Sequence, residues 1–346
     1  MSREQVGTAV IGAGYWGPNL VRNLQGVEEC DLRWVVDLDV TRAQASVGRY
    51  STVRTTDRLD DVLADKDVLA VAIATPPATH FEVALASLDA GKHVLVEKPM
   101  AGSVHEAQRL IDASSTKDLV LMCDHTYCYT PAVQKIRDLI ATGTLGDILY
   151  FDSTRINLGI VQRDISVFWD LAPHDLSILD FVMPERWLPG AVAAHGADPL
   201  GVGHPCVGYM TLMLGAGAIG HINVNWLSPT KIRTTVIGGS RRTLVWDDLI
   251  PAQRISLFDR GVDLSAVEDV EARKKLFVSY RSGEMVAPAL PETEALDAVA
   301  REFLSCVRRK RQPATDGEAG LRVLAALEAT DQSLRASGTM VPFEVR

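Results

Sequence analysis

The sequence predicts an α/β protein in two parts, a doubly wound parallel sheet followed by a C-terminal α+β domain with a large open, mostly antiparallel sheet. Two observations carry this. From residue 6 to about 123, short apolar β-rich runs alternate with helical segments, the pattern of a parallel sheet covered on both faces. Beyond 123 the strands are joined by hairpin signals, which impose antiparallel pairing. A chain of 346 residues is long enough to bury two cores, and the expected boundary divides it into 1–123 and 124–346.

In the first part the expected strands are 6–11, 32–37, 68–74, 93–96 and 119–123, with helices near 16–25, 41–48, 78–90 and 103–115. In the second, a helix at 131–142 precedes a strand at 146–155 and a helix near 171–182. Residues 191–285 are strand-rich, with LGAGA and IGGSRR as hairpin turns. In HINVNWL, the apolar Ile222, Val224 and Trp226 alternate with His221, Asn223 and Asn225, so one face packs and the other meets water or another subunit. Two helices, near 293–310 and 316–336, close the chain.

Composition narrows the function classes. Hydrophobic residues make up 47% and charged ones 23%, an ordinary globular balance. The formal charge of −9 and the lack of a basic block argue against nucleic acid. No apolar run approaches the ~18 residues of a membrane span, and the N-terminus has no signal-peptide pattern, so a soluble cytoplasmic protein is expected. Five scattered cysteines match neither a disulfide framework nor a zinc spacing, and no metal is expected.

The first strand runs into GAGYWG, where Gly12, Gly14 and Gly17 form G-x-G-x-x-G at the start of a helix. Such a turn needs glycine for tightness, for backbone approach to a pyrophosphate, and for helix-on-strand packing, while the helix N-terminus favours the anion. Asp37 lies twenty residues beyond Gly17 at the end of the second strand, where an acid accepts the ribose hydroxyls. Together these point to a Rossmann domain. A carboxylate there repels a 2′-phosphate, so NAD is expected ahead of NADP, although Arg42 could reach a phosphate. Tyr15 and Trp16 of the same turn, and Thr75, Pro76 and His80 at the end of the third strand, are candidate cofactor contacts. His80 could equally be a surface residue in a helix's first turn.

The strand HVLV ends in Glu97, Lys98 and Pro99 at the same carboxyl edge, which directs Glu97 and Lys98 to the crevice where a nicotinamide would lie. Alone, this is equally a Lys–Glu pair at a strand end. In WDLAPHDLSILDF, however, Asp170 and His174 stand four apart and share a helix face. Asp170 suits an N-cap, Pro173 a first turn, and His174 a neutral general base oriented by Asp170.

With these residues in hand, the sequence resembles the Gfo/Idh/MocA family of nicotinamide-dependent sugar oxidoreductases: GAGYWG, then E-K-P after a strand, then D-x-x-x-H-D on a helix of the second domain. The resemblance spans essentially the whole chain. It implies Lys98, Asp170 and His174 as catalytic residues, a Lys98–Pro99 bond that is often cis, and a homodimer or homotetramer. GYWGPNLVRN, HTYCYTPAV and RINLG are most similar to the branch acting on nucleotide-linked sugars, with hydride transfer at a secondary alcohol carbon, C3. Tyr127, Arg155, Asn157, Arg163 and Asp164 would suit a diphosphate and a sugar, or could be exposed loop residues. Thr130 stands where relatives commonly carry Asn. Two other readings share the motifs: a dehydrogenase of a free polyol or sugar of the inositol kind, and a non-enzymatic dinucleotide sensor on the same fold.

Overall fold

The computed structural model describes residues 5–49, 51–183, 190–263 and 279–343. Six parallel strands form the first sheet: β1 (Val6–Ile11), β2 (Cys30–Val36), β3 (Arg54–Thr56), β4 (Ala70–Ile73), β5 (His93–Glu97) and β6 (Leu121–Asp124), in the order β3-β2-β1-β4-β5-β6. Strand order reverses between β1 and β4, which opens a crevice at the carboxyl ends of the strands. Both faces are covered, by α1 (Gly17–Gln25), α2 (Val40–Val47), α3 (Leu59–Ala64), α4 (His80–Asp89) and α5 (Val104–Thr116). The strands are buried on both sides, which is why β1 and β4 read as unbroken apolar runs. The sequence reading missed β3 and α3, because three and six residues are too few to display a period.

Among the described residues the second sheet has nine strands: β7 (Ile148–Leu158), β8 (Ala191–Ala197), β9 (Val207–Met213), β10 (Ile219–Asn225), β11 (Leu227–Gly239), β12 (Thr243–Asp247), β13 (Ile255–Asp263), β14 (Ser279–Val286) and β15 (Val341–Pro342). Every adjacent pair is antiparallel except β10 with β7. Part of the strand-rich stretch expected over 191–285, residues 264–278, lies outside the described residues. The alternation in HINVNWL is realised: Ile222, Val224 and Trp226 are buried against α7 (Val167–Val182), and their polar neighbours face outward.

Helix α6 (Pro131–Ala141) follows the first sheet, and α8 (Ala295–Arg309) and α9 (Gly317–Arg335) close the chain. The apolar face of α8, with Leu296, Val299 and Phe303, joins the core formed by Val10, Leu20 and Met122 of the first sheet and its helix α1. Helix α9 packs on α5, α7 and β8 and so bridges the two sheets. Among the described residues no helix is long and apolar enough to cross a membrane. All five thiols are free and buried.

Candidate active site

The turn after β1 is built as its glycines require. Gly12 has φ +97°, and a Cβ there would lie 2.6 Å from the Ala74 backbone. A Cβ on Gly17 would stand 2.0 Å from the Gly12 carbonyl oxygen, whereas one on Gly14 would meet nothing, leaving that backbone open to an approaching group. Asp37, just past β2, accepts from the Ala13 amide at 2.7 Å and from the Asp39 amide at 2.9 Å, so its carboxylate is tied to the glycine turn. This cradle fits the pyrophosphate and ribose of a dinucleotide. Arg42 is engaged with Asp39 at 3.4 Å.

Beyond the turn, a cavity of about 610 Å3 lies between the two sheets, and its walls include Tyr15, Trp16, Thr75, His80, Glu97, Lys98, Tyr127, Asp170 and His174. Nine residues singled out from the sequence thus meet in one place. Pro77 rather than Pro76 faces the cavity, because the Pro76 carbonyl is turned back to accept from Thr79. His80 is no surface residue: it is 1% exposed, with Nδ1 2.7 Å from the Pro99 carbonyl and Nε2 2.8 Å from that of Thr75. Burial lowers its pKa while those carbonyls oppose the shift, and the ring ties the turn after β4 to the turn after β5.

The Lys98–Pro99 bond is cis. Lys98 Nζ donates to the Asp170 carbonyl oxygen at 2.8 Å and to Asp170 Oδ1 at 3.3 Å. Asp170 Oδ2 accepts from Trp226 Nε1 at 3.0 Å. The expectation that Asp170 orients His174 is therefore corrected: among the described residues its carboxylate binds the lysine and an indole, not the imidazole. The helix start is corrected as well. Its N-cap is Ser166, whose side chain accepts from Trp169, so Pro173 and His174 lie inside the helix rather than in its first turn. An N-cap serine four residues upstream of Asp170 was legible but lay in a polar stretch that looked like loop.

His174 is half-buried, with Tyr127 packed edge-on at 5.0 Å between ring centroids. Burial first, then the cations Lys98 and Arg155, hold its pKa well below the ordinary histidine value, so the imidazole is neutral. The helix dipole adds little to this, since the ring sits beyond the first turn of α7. Beneath Lys98, Glu97 and Asp124 are paired in register on β5 and β6. Burial, and for Glu97 also the neighbouring Asp124, pushes both carboxyls above their usual range.

Four of the expected substrate contacts, Arg155, Asn157, Arg163 and Asp164, do not line this cavity. Arg155 is 4% exposed and bidentate to Asp175, at 2.7 and 3.0 Å, with the Tyr127 ring over its guanidinium at 4.4 Å. Burial would lower its pKa, and Asp175 more than offsets that. Asn157 and the exposed Arg163 are outside the cavity wall, as is Asp164, which lines a separate cavity with Trp169 and Asp331. In their place the wall includes Thr126, Thr130, Gln162, Arg233 and Asp248. Thr130 caps α6 and donates to the Tyr127 carbonyl. Nothing local marked Arg233 or Asp248, which reach the site through strand pairing across the second sheet.

Next to this site His125 is 2% exposed, and neither ring nitrogen has a partner among the described residues. Burial, then Lys98 and Arg322, bring its pKa down to about 3. The unfolded value is near ~6.5, so the unfolded chain binds more protons, and stability present above that pH is lost as pH falls toward the folded value. Urea unfolding of wild type is expected to show a steeper acid loss than His125→Leu, by up to about 1.4 kcal/mol per pH unit below pH ~6.5. Parallel pH profiles for the two proteins would refute a neutral buried ring.

A glycine-turned parallel sheet facing a second domain across a cleft holding lysine, carboxylate and imidazole defines a dinucleotide-binding oxidoreductase architecture. The sequence matches an oxidoreductase family with an NAD-binding Rossmann fold over residues 6–125, and the GFO/IDH/MocA C-terminal domain over 133–245. The chain belongs to the Gfo/Idh/MocA oxidoreductase family, which is NAD(P)-binding. It is 28% identical over 335 residues to UDP-N-acetylglucosamine 3-dehydrogenase of Acidithiobacillus ferrooxidans, covering 92% of this chain and 94% of that one. A solved structure of that enzyme, GnnA, superposes with a TM-score of 0.79 at 26% identity, over 96% of this chain and 98% of that chain. Levoglucosan dehydrogenase of Pseudarthrobacter phenanthrenivorans is 28% identical over 214 residues, 55% of this chain and 53% of that one. A solved levoglucosan dehydrogenase in complex with NADH and levoglucosan shares the fold, with a TM-score of 0.82 at 19% identity over 99% of this chain and 100% of that chain.

Proposed function

We propose that this protein transfers a hydride between a nicotinamide and a secondary alcohol carbon, C3, of a nucleotide-linked pyranose. The observation that carries the reading is the meeting of Lys98 from one domain and His174 from the other on one cavity wall. A nicotinamide cofactor held by the glycine turn and Asp37 would supply the hydride acceptor for oxidation and the hydride donor for reduction. His174, neutral and half-buried, takes the hydroxyl proton as the ketone forms and gives it back in the reverse direction. Lys98 spends part of its hydrogen-bonding capacity on Asp170, and its remaining N–H stabilises charge developing on the substrate oxygen. Asp170 positions Lys98, and Trp226 positions Asp170. Tyr127 is the sugar platform.

NAD is the cofactor we assign ahead of NADP, because the Asp37 carboxylate is held against the glycine turn, where it would repel a 2′-phosphate, and Arg42 is drawn to Asp39. The likeness to UDP-N-acetylglucosamine 3-dehydrogenase along nearly the whole chain supports the nucleotide sugar and C3. A second reading, oxidation of a free sugar, is favoured by the partial likeness to levoglucosan dehydrogenase. Absorbance of the reduced cofactor, followed with NAD and a panel of UDP-N-acetylhexosamines, free inositol and levoglucosan, separates the two. Turnover of free sugars alone would displace the nucleotide-sugar assignment, and NAD binding without turnover on any sugar would favour the sensor.

The open sheet face supports a homo-oligomer. Tyr150, Ile219 and Met213 lie side by side across β7, β10 and β9, and all three are exposed. An apolar row of this kind is suited to a second copy of the same sheet. A monomer in sedimentation at micromolar concentration would contradict it.

A further inference from the structure

Arg155 and Arg233 are direct partners across β7 and β11, on the face turned toward α7 and the cavity. Like charges opposite each other on a sheet destabilise it, and removal from water increases the cost. For Arg155 the cost is met by Asp175, with two short hydrogen bonds inside the core. Among the described residues Arg233 has no such neutralisation. Its ion pair with Asp248 is a single contact of 3.4 Å, with the two side chains 33% and 20% exposed. The guanidinium lies 5.9 Å from the centroid of the Tyr127 ring, whose edge-on neighbour is His174. Arg233 therefore enters the same cavity as Lys98 and His174 with most of its planar donor fork uncommitted, against a partner held loosely enough to yield.

We propose that Arg233 anchors an anionic group of the substrate, so that the sugar bound against Tyr127 carries a carboxylate or a phosphoryl group. The proposal rests on the hydride-transfer reading above and narrows its substrate class. A neutral sugar needs no second guanidinium beside Arg155, since hydroxyls are served by uncharged donors at no like-charge cost. An incoming oxyanion accepts the bidentate fork and offsets the Arg155–Arg233 repulsion at the same time. The two sources of such an anion are a ring carboxylate and the diphosphate of a nucleotide, and they differ in distance from the reacting carbon.

The test compares full-length wild type with Arg233→Met and Arg233→Lys, using glucuronate, UDP-N-acetylglucosamine and levoglucosan as carboxylate, phosphate and neutral probes. The ratio of kcat/KM for the charged probe over the neutral one is expected to fall about 10- to 100-fold in Arg233→Met, chiefly through KM, with partial recovery in Arg233→Lys. Which charged probe suffers identifies the source of the anion. Added salt should weaken the charged probe and not the neutral one. The melting temperature of Arg233→Met should equal or exceed that of wild type, because the like-charge contact is gone. An unchanged ratio, or a marked loss of stability in Arg233→Met, overturns the proposal. If wild type turns over none of the three probes, the hydride-transfer reading fails separately. Calorimetric binding of glucuronate and UDP to the same variants in the presence of NADH then decides the anion site, an unaltered affinity counting against it.

Discussion

Lys98→Ala is expected to lower turnover at least ~100-fold, the usual scale for loss of an acid–base or charge-stabilising group, while NAD affinity stays nearly intact. The cofactor cradle is assembled from the turn after β1 and the Asp37 carboxylate, neither of which uses the lysine. His174→Ala should produce a loss of the same order, since an alanine leaves no group to take the alcohol proton. Fluorescence titration with NADH alongside steady-state rates checks both halves of the expectation. Wild-type-like turnover in both variants would remove the lysine–imidazole pair from the chemistry. Loss of NADH binding in Lys98→Ala would instead show that the lysine serves the cofactor.

The largest effect on stability is expected at Asp175. Its carboxylate accepts both Arg155 hydrogen bonds and one from the Ser153 hydroxyl, and the ion pair is 5% and 1% exposed. Asp175→Ala strands a guanidinium in the core, a change that typically costs about 3–5 kcal/mol. Replacing both partners with apolar residues of similar size, as in Arg155→Met with Asp175→Leu, should restore most of that loss, because neither charge then needs solvation. Urea midpoints of the single and double variants give the comparison. A double variant no more stable than Asp175→Ala would mean that the loss comes from packing and not from the unpaired cation.

Read from the chain, the first sheet emerges almost complete, since strands buried on both faces become apolar runs and the helices between them keep their period. The glycine turn and Asp37 were legible for the same reason: their geometry is demanded by neighbours within one β–α–β unit. Arg155 shows where such reading stops. An arginine in a polar-looking strand suggests a phosphate ligand, and nothing local reveals that Asp175, on a helix across the layer, has already claimed it. Asp170 shows the same from the other side, for its spacing to His174 is a helical fact, whereas its partners, Lys98 and Trp226, are 72 and 56 residues away.

What the order of amino acids settled unaided was the parallel sheet, its glycine turn, a lysine at the end of β5 and a histidine on a helix of the second part, because short-range periodicity and backbone sterics write those features directly into neighbouring residues. Three-dimensional packing alone settled which charge answers which: that Asp170 serves the lysine, that Asp175 silences Arg155, and that Arg233 is left facing the cavity. Electrostatic pairing depends on distance through space and on exclusion of water, and neither quantity is carried by position along the chain.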